Sequence, residues 1–275
     1  MNKFLKPLLS TYVKGTKRKF IKFLGFENTY HPYMKFKEIH LLEELIMNLN
    51  PKNCLEYGCG ISSIHFSKLL KEGSKWYSIE HDMEWYHKIQ GLNQFEDKLE
   101  IYYVGSDNSS WRHEGYYNDF KTYINFPEKL SKFDFILVDG MARESCIKKA
   151  YELLNENGVM IIHDCNRIQY HEDLKIFPNW MILEDYRKTA GGIGFCTKSK
   201  SIESLFDLEY HQNIWEMDTL FQNFFKFKYL IGKKSKPFKV KRGETKKSIL
   251  ISETSRKLKK FKNPKFIRAK ELGTT

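Results

Sequence analysis

The chain has no apolar run near the roughly 18 residues needed to cross a bilayer, so nothing in its 275 residues reads as a membrane-spanning helix. It also lacks paired cysteines. Cys54, Cys59, Cys146, Cys165 and Cys196 are scattered and odd in number, with no CxxC pair and no Cys/His ligand spacing. That indicates neither a disulfide framework nor a structural zinc site, and it suits a reduced, cytoplasmic setting. The apolar patch within Met1–Val13 is interrupted by Pro7 and has no small-residue cleavage site, so it makes a poor signal peptide. No internal repeat is visible. Acidic residues are missing from residues 1–25, which carry seven Lys/Arg, and scarce in 226–275, where eighteen Lys/Arg face three acids. The whole chain is +12 and its two ends contribute +7 and +15, so residues 26–225 carry −10. An acidic core between two basic ends points to an anionic surface as a partner, or to solvated extensions.

Within the core, Phe36, Ile39, Leu42, Ile46 and Leu49 recur at helical spacing and predict an amphipathic helix over about 35–49, closed by Asn50-Pro51. Strand-like segments follow near 53–57, 76–80, 99–104, 133–138, 158–163, 180–185 and 193–197. Helices are expected near 62–71, 82–91 and 142–155. Phe133–Val138 and Val159–Ile162 are continuous apolar runs, as central parallel strands are, and Asn155-Glu156-Asn157-Gly158 is read as the turn before the second. The alternation predicts an α/β fold, a doubly wound and mostly parallel sheet with helices on both faces. Residues 105–131 break it with an aromatic-rich insertion (Trp111, Tyr116, Tyr117, Phe120, Tyr123, Phe126). About 207–230 reads as helical, and a Lys-rich stretch without periodicity follows. The organisation predicted is a basic amphipathic extension (1–30), a central α/β domain (31–200) and a helical, then Lys-rich extension (201–275).

The most informative stretch is Glu56-Tyr57-Gly58-Cys59-Gly60-Ile61-Ser62, where a strand enters a glycine turn and then a helix. Glu80 ends the next strand 24 residues after Glu56. Glycines let a ligand approach the backbone, and an acid at the second strand tip can accept both hydroxyls of a ribose. The third glycine of a dinucleotide fingerprint is absent, and Glu56 would repel a phosphate but suit an ammonium. The cofactor implied is a nucleoside with a cationic tail. The loop resembles the first motif of the class I S-adenosylmethionine-dependent methyltransferases, acid-x-Gly-x-Gly-x-[Gly/Ser]. That resemblance implies a Rossmann-like, seven-stranded sheet with an antiparallel edge hairpin, formed here by the last two strands. It also implies that S-adenosylmethionine is held by Glu56, Gly58, Gly60, Ser62 and Glu80, with Asp107 at the adenine (Ser106 competing) and Asp139 beside the methionine moiety.

In open α/β sheets ligands lie beyond the carboxyl ends of the strands. There the sequence places Glu56 to Gly60, Glu80, Ser106/Asp107, Asp139-Gly140 and His163-Asp164. Methyl transfer to a hydroxyl needs the acceptor oxygen positioned and its proton removed. His163, with Asp164 and Asp139, is read either as that base or as a strand-end histidine bonded to one of the two aspartates. Asp139 and Asp164 are alternatively a divalent-metal pair, as in the catechol and macrolide-sugar O-methyltransferases. The third ligand position of that site is here Cys165, a poor donor for Mg²⁺, so a metal is not favoured.

The pairing of Asp139-Gly140 with His163-Asp164-x-x-Arg167 resembles polysaccharide O-methyltransferases related to glucuronoxylan 4-O-methyltransferase, and bacterial capsule and lipopolysaccharide enzymes. A sugar or glycan precursor is the substrate this implies, with the aromatic insertion as its platform. An RNA- or DNA-modifying enzyme using the basic ends is the alternative. Base N-methylation is disfavoured, because Asp139-Gly140-Met141-Ala142 stands where an Asn/Asp-Pro-Pro-aromatic turn would be needed, and Asn263-Pro264-Lys265-Phe266 lies far outside the core. A non-catalytic binding module is the third reading. The mixed Lys and apolar residues of 1–25 suggest peripheral attachment to an anionic membrane face.

Overall fold

The computed structural model describes residues 31–187, 190–229, 239–244 and 267–268, with side chains as far as residue 220. The basic extension expected over 1–30 and most of the Lys-rich one lie outside the described residues.

Two apolar periods build the fold. In helix α1 (Phe36–Leu49), Leu41, Leu42, Leu45 and Ile46 form one buried stripe. The helix stops where Asn50 turns left-handed (φ 50°) before Pro51. In the strands the period is two, yet both faces are buried. Along strand β4 (Phe133–Val138), Phe135 and Leu137 join the core under α1, while Ile136 and Val138 join the core on the opposite face. A strand apolar on both sides has to be central, and β4 pairs on both edges, with β1 (Asn53–Tyr57) and β5 (Leu154–His163).

Between these come α2 (Ile61–Ser67), β2 (Lys75–Glu80), α3 (Met83–Gln90), β3 (Leu99–Tyr103) and, in the insertion, the short α4 (Lys121–Asn125). After β4 follow α5 (Arg143–Leu153), β5, the single turn α6 (His171–Leu174), β6 (Asn179–Glu184), β7 (Ile193–Thr197) and the long α7 (Leu208–Tyr229). The strand order β3-β2-β1-β4-β5-β7-β6 has β7 antiparallel to both neighbours and the rest parallel. This is the expected Rossmann-like α/β sheet with its antiparallel hairpin. The order reverses direction at β1, which lies between β2 and β4, so the crevice for a ligand opens over the ends of β1 and β4.

Two details differ from expectation. β8 (Lys239–Glu244) pairs antiparallel with β6, and β9 (Ile267–Arg268) pairs with β8, making nine strands among the described residues and covering the hairpin edge. The sequence Lys-Val-Lys-Arg-Gly-Glu has no apolar alternation to announce this strand. The second difference is in β5, which begins at Leu154 rather than after a turn. Buried Leu154 pairs with Phe133, and a register irregularity lets Asn155 bond Asp134 at 2.7 Å while still in the strand.

Candidate functional site

A cavity of about 730 Å³ opens over the switch point, of a size suited to a nucleoside cofactor, and is lined by Gly58, Gly60, Ser62, Glu80, Asp139 and Arg143 among others. Its floor is the crossing of two strand ends. Gly58 sits at φ +91°, and a Cβ there would come within 2.7 Å of the Gly140 Cα, while one on Gly140 would lie 2.8 Å from the Gly58 nitrogen. Both positions therefore exclude any side chain. Gly60 is extended backbone, and a Cβ on it would lie 3.3 Å from the Ser62 Oγ and 3.8 Å from the Ser62 nitrogen.

Glu80 closes the β2 side. Its Oε2 accepts from the Cys59 N–H at 3.0 Å, and its Oε1 from the His81 and Asp82 amides at 2.8 and 2.9 Å. These donors fix the carboxylate at the cavity wall and leave lone pairs for a ligand. From α3, the Trp85 indole donates to the Cys59 carbonyl at 2.7 Å, so the glycine loop is held from two elements.

Glu56 departs from its expected role. It is fully buried and does not line the cavity. Ser62 and Ser63 hydroxyls donate to it at 2.6 Å each, the Trp76 indole at 2.9 Å and Ser78 at 3.2 Å. Burial pushes its carboxyl up to about 7, against the pull of those donors. Glu56 therefore anchors the start of α2 rather than facing an ammonium, and Ser62 reaches the cavity with its hydroxyl already committed. The signal was present in Ser62-Ser63 and in the same-face pair Trp76 and Ser78.

Asp107 is also displaced from its expected place. It is exposed, lies outside the cavity lining, and accepts from the Thr122 amide (2.8 Å) and hydroxyl, pinning α4. The insertion it holds divides by burial. Phe120 and Tyr123 are core residues packed edge-on against each other and around His81, while Tyr116 and Tyr117 are exposed.

Asp139 lines the cavity as expected, and its contacts with His163 Nδ1 (3.0 Å) and Arg143 Nη2 (3.1 Å) both fall on Oδ1. Burial would raise its carboxyl, but His163 and Arg143 hold it below the ordinary range. His163 and Asp164 do not line the cavity. The His163 ring lies between Asp139 and the fully buried Glu38 of α1, whose Oε2 is 3.4 Å from Nε2. Burial opposes its protonation, yet the two carboxylates raise its pKa well above the usual histidine value. With Nδ1 on Asp139 and Nε2 facing Glu38, the ring is directed at the chain's own carboxylates rather than into the cavity. Asp164, left-handed at φ 60°, is held by the Gly191 amide and by Arg167 at 3.4 Å.

The two aspartates read as a metal pair face a cation of the chain itself. Arg143 stands between the two aspartates, Nη2 at 3.1 Å from Asp139 and Nη1 at 4.0 Å from Asp164. Among the described residues no group of three His, Cys, Asp or Glu side chains is placed to hold an ion. Sequence reasoning missed Arg143, Glu38, Arg187 and Asp185. Only Arg143, four residues after Asp139 at a helix start, left a local trace.

No family model and no curated protein matches the chain. Among solved structures it is similar to the O-methyltransferase TomG from Streptomyces achromogenes, involved in tomaymycin synthesis and in complex with SAM (16% identity, 59% of this chain and 80% of that one, TM-score 0.44). It is also similar to an O-methyltransferase from Bacillus cereus in complex with SAH (14%, 69% and 89%, TM-score 0.48). A third is spermidine synthase from Thermotoga maritima (16%, 66% and 70%, TM-score 0.45). Likeness this remote transfers neither substrate nor activity, and the chemistry rests on the site's own residues.

Proposed function

We propose that the chain is an S-adenosylmethionine-dependent methyltransferase acting on a hydroxyl, with a sugar or glycan precursor as its substrate class. The observation that carries this is Glu80: a carboxylate at the tip of β2, fixed by three amides, on the wall of a cavity floored by Gly58 and Gly140. That arrangement suits a ribose diol on Glu80, with the ligand backbone lying over the glycines. Asp139 Oδ2, outside the contacts made by Oδ1, is available at the β4 side for the cationic end of the ligand or for the acceptor hydroxyl. When bound, S-adenosylmethionine supplies an electrophilic methyl group. The chain's own residues orient the reactants, and Asp139, held ionised, replaces His163 as the group that accepts the hydroxyl hydrogen bond.

The sugar class is supported by the spacing of Asp139-Gly140 and His163-Asp164-x-x-Arg167, and by Tyr116 and Tyr117, whose exposed rings can stack on a sugar face. Glu114, two residues before Tyr116, pairs with Arg167 and accepts from Tyr170, tying this part of the insertion to the β5 exit.

Calorimetric titration tests the cofactor assignment. The wild type should bind S-adenosylhomocysteine, and Glu80→Ala should weaken binding at least about tenfold, since two charge-assisted hydrogen bonds are lost. An unchanged dissociation constant refutes the ribose role. Transfer of label from tritiated S-adenosylmethionine into glycan-precursor rather than RNA fractions tests the substrate class.

A further inference from the structure

Arg143 does more than close a helix turn. Its guanidinium donates to three main-chain carbonyls at the ends of two strands: Nε to Gly140 (2.9 Å), Nη2 to Asp139 (3.0 Å) and Nη1 to His163 (2.9 Å). The planar fork is thereby fixed, nearly buried, at the cavity lining. From that position it faces Asp139 Oδ1 at 3.1 Å and Asp164 Oδ2 at 4.0 Å. Each of those oxygens has a second donor, His163 Nδ1 at Asp139 Oδ1 and Arg167 Nη2 at Asp164 Oδ2.

We infer that Arg143 is a built-in cation occupying the place between Asp139 and Asp164 that a divalent ion takes in metal-dependent O-methyltransferases, so that this site works without such an ion. The inference rests on the methyltransferase reading for its functional meaning and on geometry for its substance. A divalent ion entering between the carboxylates would meet the guanidinium, and like charges at such range repel strongly in a partly buried site. It would also find Cys165, a fully buried thiol, where a hard cation needs a third oxygen. The guanidinium supplies the positive charge directly and directs it: its contact falls on Asp139 Oδ1, which leaves Oδ2 for the ligand. Arg143 is thus a positioning residue acting through Asp139. Lysine would preserve the charge but not the fork that reaches three carbonyls and a carboxylate together.

Mn²⁺ is the probe, titrated by electron paramagnetic resonance into protein with and without S-adenosylhomocysteine. The wild type should show no site tighter than about millimolar. In Arg143→Ala the freed carboxylates should bind Mn²⁺ at least about tenfold more tightly, and Arg143→Ala/Asp164→Asn should lose that gain; a role confined to stapling the strands predicts no gain. A tight Mn²⁺ site in the wild type that Asp164→Asn removes overturns the inference, as does a folded Arg143→Ala with no gain. Should Arg143→Ala not fold, the wild-type titration decides alone. Failure of the wild type to bind S-adenosylhomocysteine refutes the methyltransferase reading instead, and the Mn²⁺ results on the free protein still stand.

Discussion

The two halves of the sheet's carboxyl rim hold the same chemical group by opposite means. Over β1 and β2, Glu56 and Glu80 are held by serine hydroxyls, an indole and main-chain amides, with the His81 ring also 2.8 Å from Glu80. Over β4, β5 and β6, Asp139, Asp164, Glu38 and Asp185 are satisfied by cations: Arg143, His163, Arg167, Arg187, Lys35 and Lys37. Protonation follows the partner. Burial dominates at Glu56 and carries its carboxyl to about 7; at Asp185 burial is overcome by Lys37, Lys35 and Arg187, and the carboxyl falls to about 2. The neutral-donor half carries Glu80, the carboxylate proposed for the ribose diol. The cationic half is largely closed on itself and opens to the cavity through Asp139 and Arg143.

The largest test of this contrast is to remove a cation from the closed half. Lys37 is almost fully buried, with Nζ at 2.8 Å from Asp218, 3.1 Å from Asp185 and 4.1 Å from the Trp215 ring centre. Lys37→Met should destabilise the fold by about 3 kcal/mol, because buried carboxylates lose a partner. Urea denaturation measures it. Affinity for S-adenosylhomocysteine should stay within about threefold, a change of under 1 kcal/mol. A parallel collapse of affinity would mean that the halves are one energetic unit.

A second test acts on the other half. The Glu56 carboxyl is raised in the fold from 4.5 to about 7, so its contribution to stability is complete below 4.5 and is lost as pH rises through 7. Between those limits the unfolded chain releases a proton that the folded one keeps, which costs about 3 kcal/mol at 1.36 kcal/mol per unit. Glu56→Gln has no such ionisation. The stability difference between wild type and variant should therefore shift against the wild type across this window. A flat difference would show that the hydroxyl and indole donors keep Glu56 ionised throughout.

The same contrast explains what the sequence disclosed. The strand and helix order, and the glycine loop with Glu80, were legible because 54–82 is one local unit whose turn chemistry follows from neighbouring residues. The fate of Glu56 was written in Ser62-Ser63, but motif logic assigned the serine outward and the acid to the ligand. Nothing local announced the closed half. Glu38 meets His163 across 125 positions and Arg187 across 149, and on α1 it looks like an ordinary first-turn acid. A strand-end His-Asp pair reads as catalytic until the partner that occupies its second nitrogen is known. Aromatic content misled for a similar reason, since Phe120 and Tyr123 are core while their neighbours Tyr116 and Tyr117 are not.

The smallest expected effect is spectroscopic, and it decides whether His163 belongs to the closed half at all. With Asp139 at Nδ1 and Glu38 facing Nε2, its pKa lies well above the ordinary value of 6.5, although burial alone would depress it. The stability it contributes is complete below 6.5 and is lost only as pH rises through that higher folded-state value. Nitrogen-15 shifts of the ring should show both nitrogens protonated at about pH 8, where a free histidine is neutral. Turnover should then show no step near neutrality that His163→Gln abolishes. A neutral ring with an unprotonated nitrogen at that pH would return His163 to the role of general base, and Asp139 would become its orienting partner instead of the group that meets the acceptor.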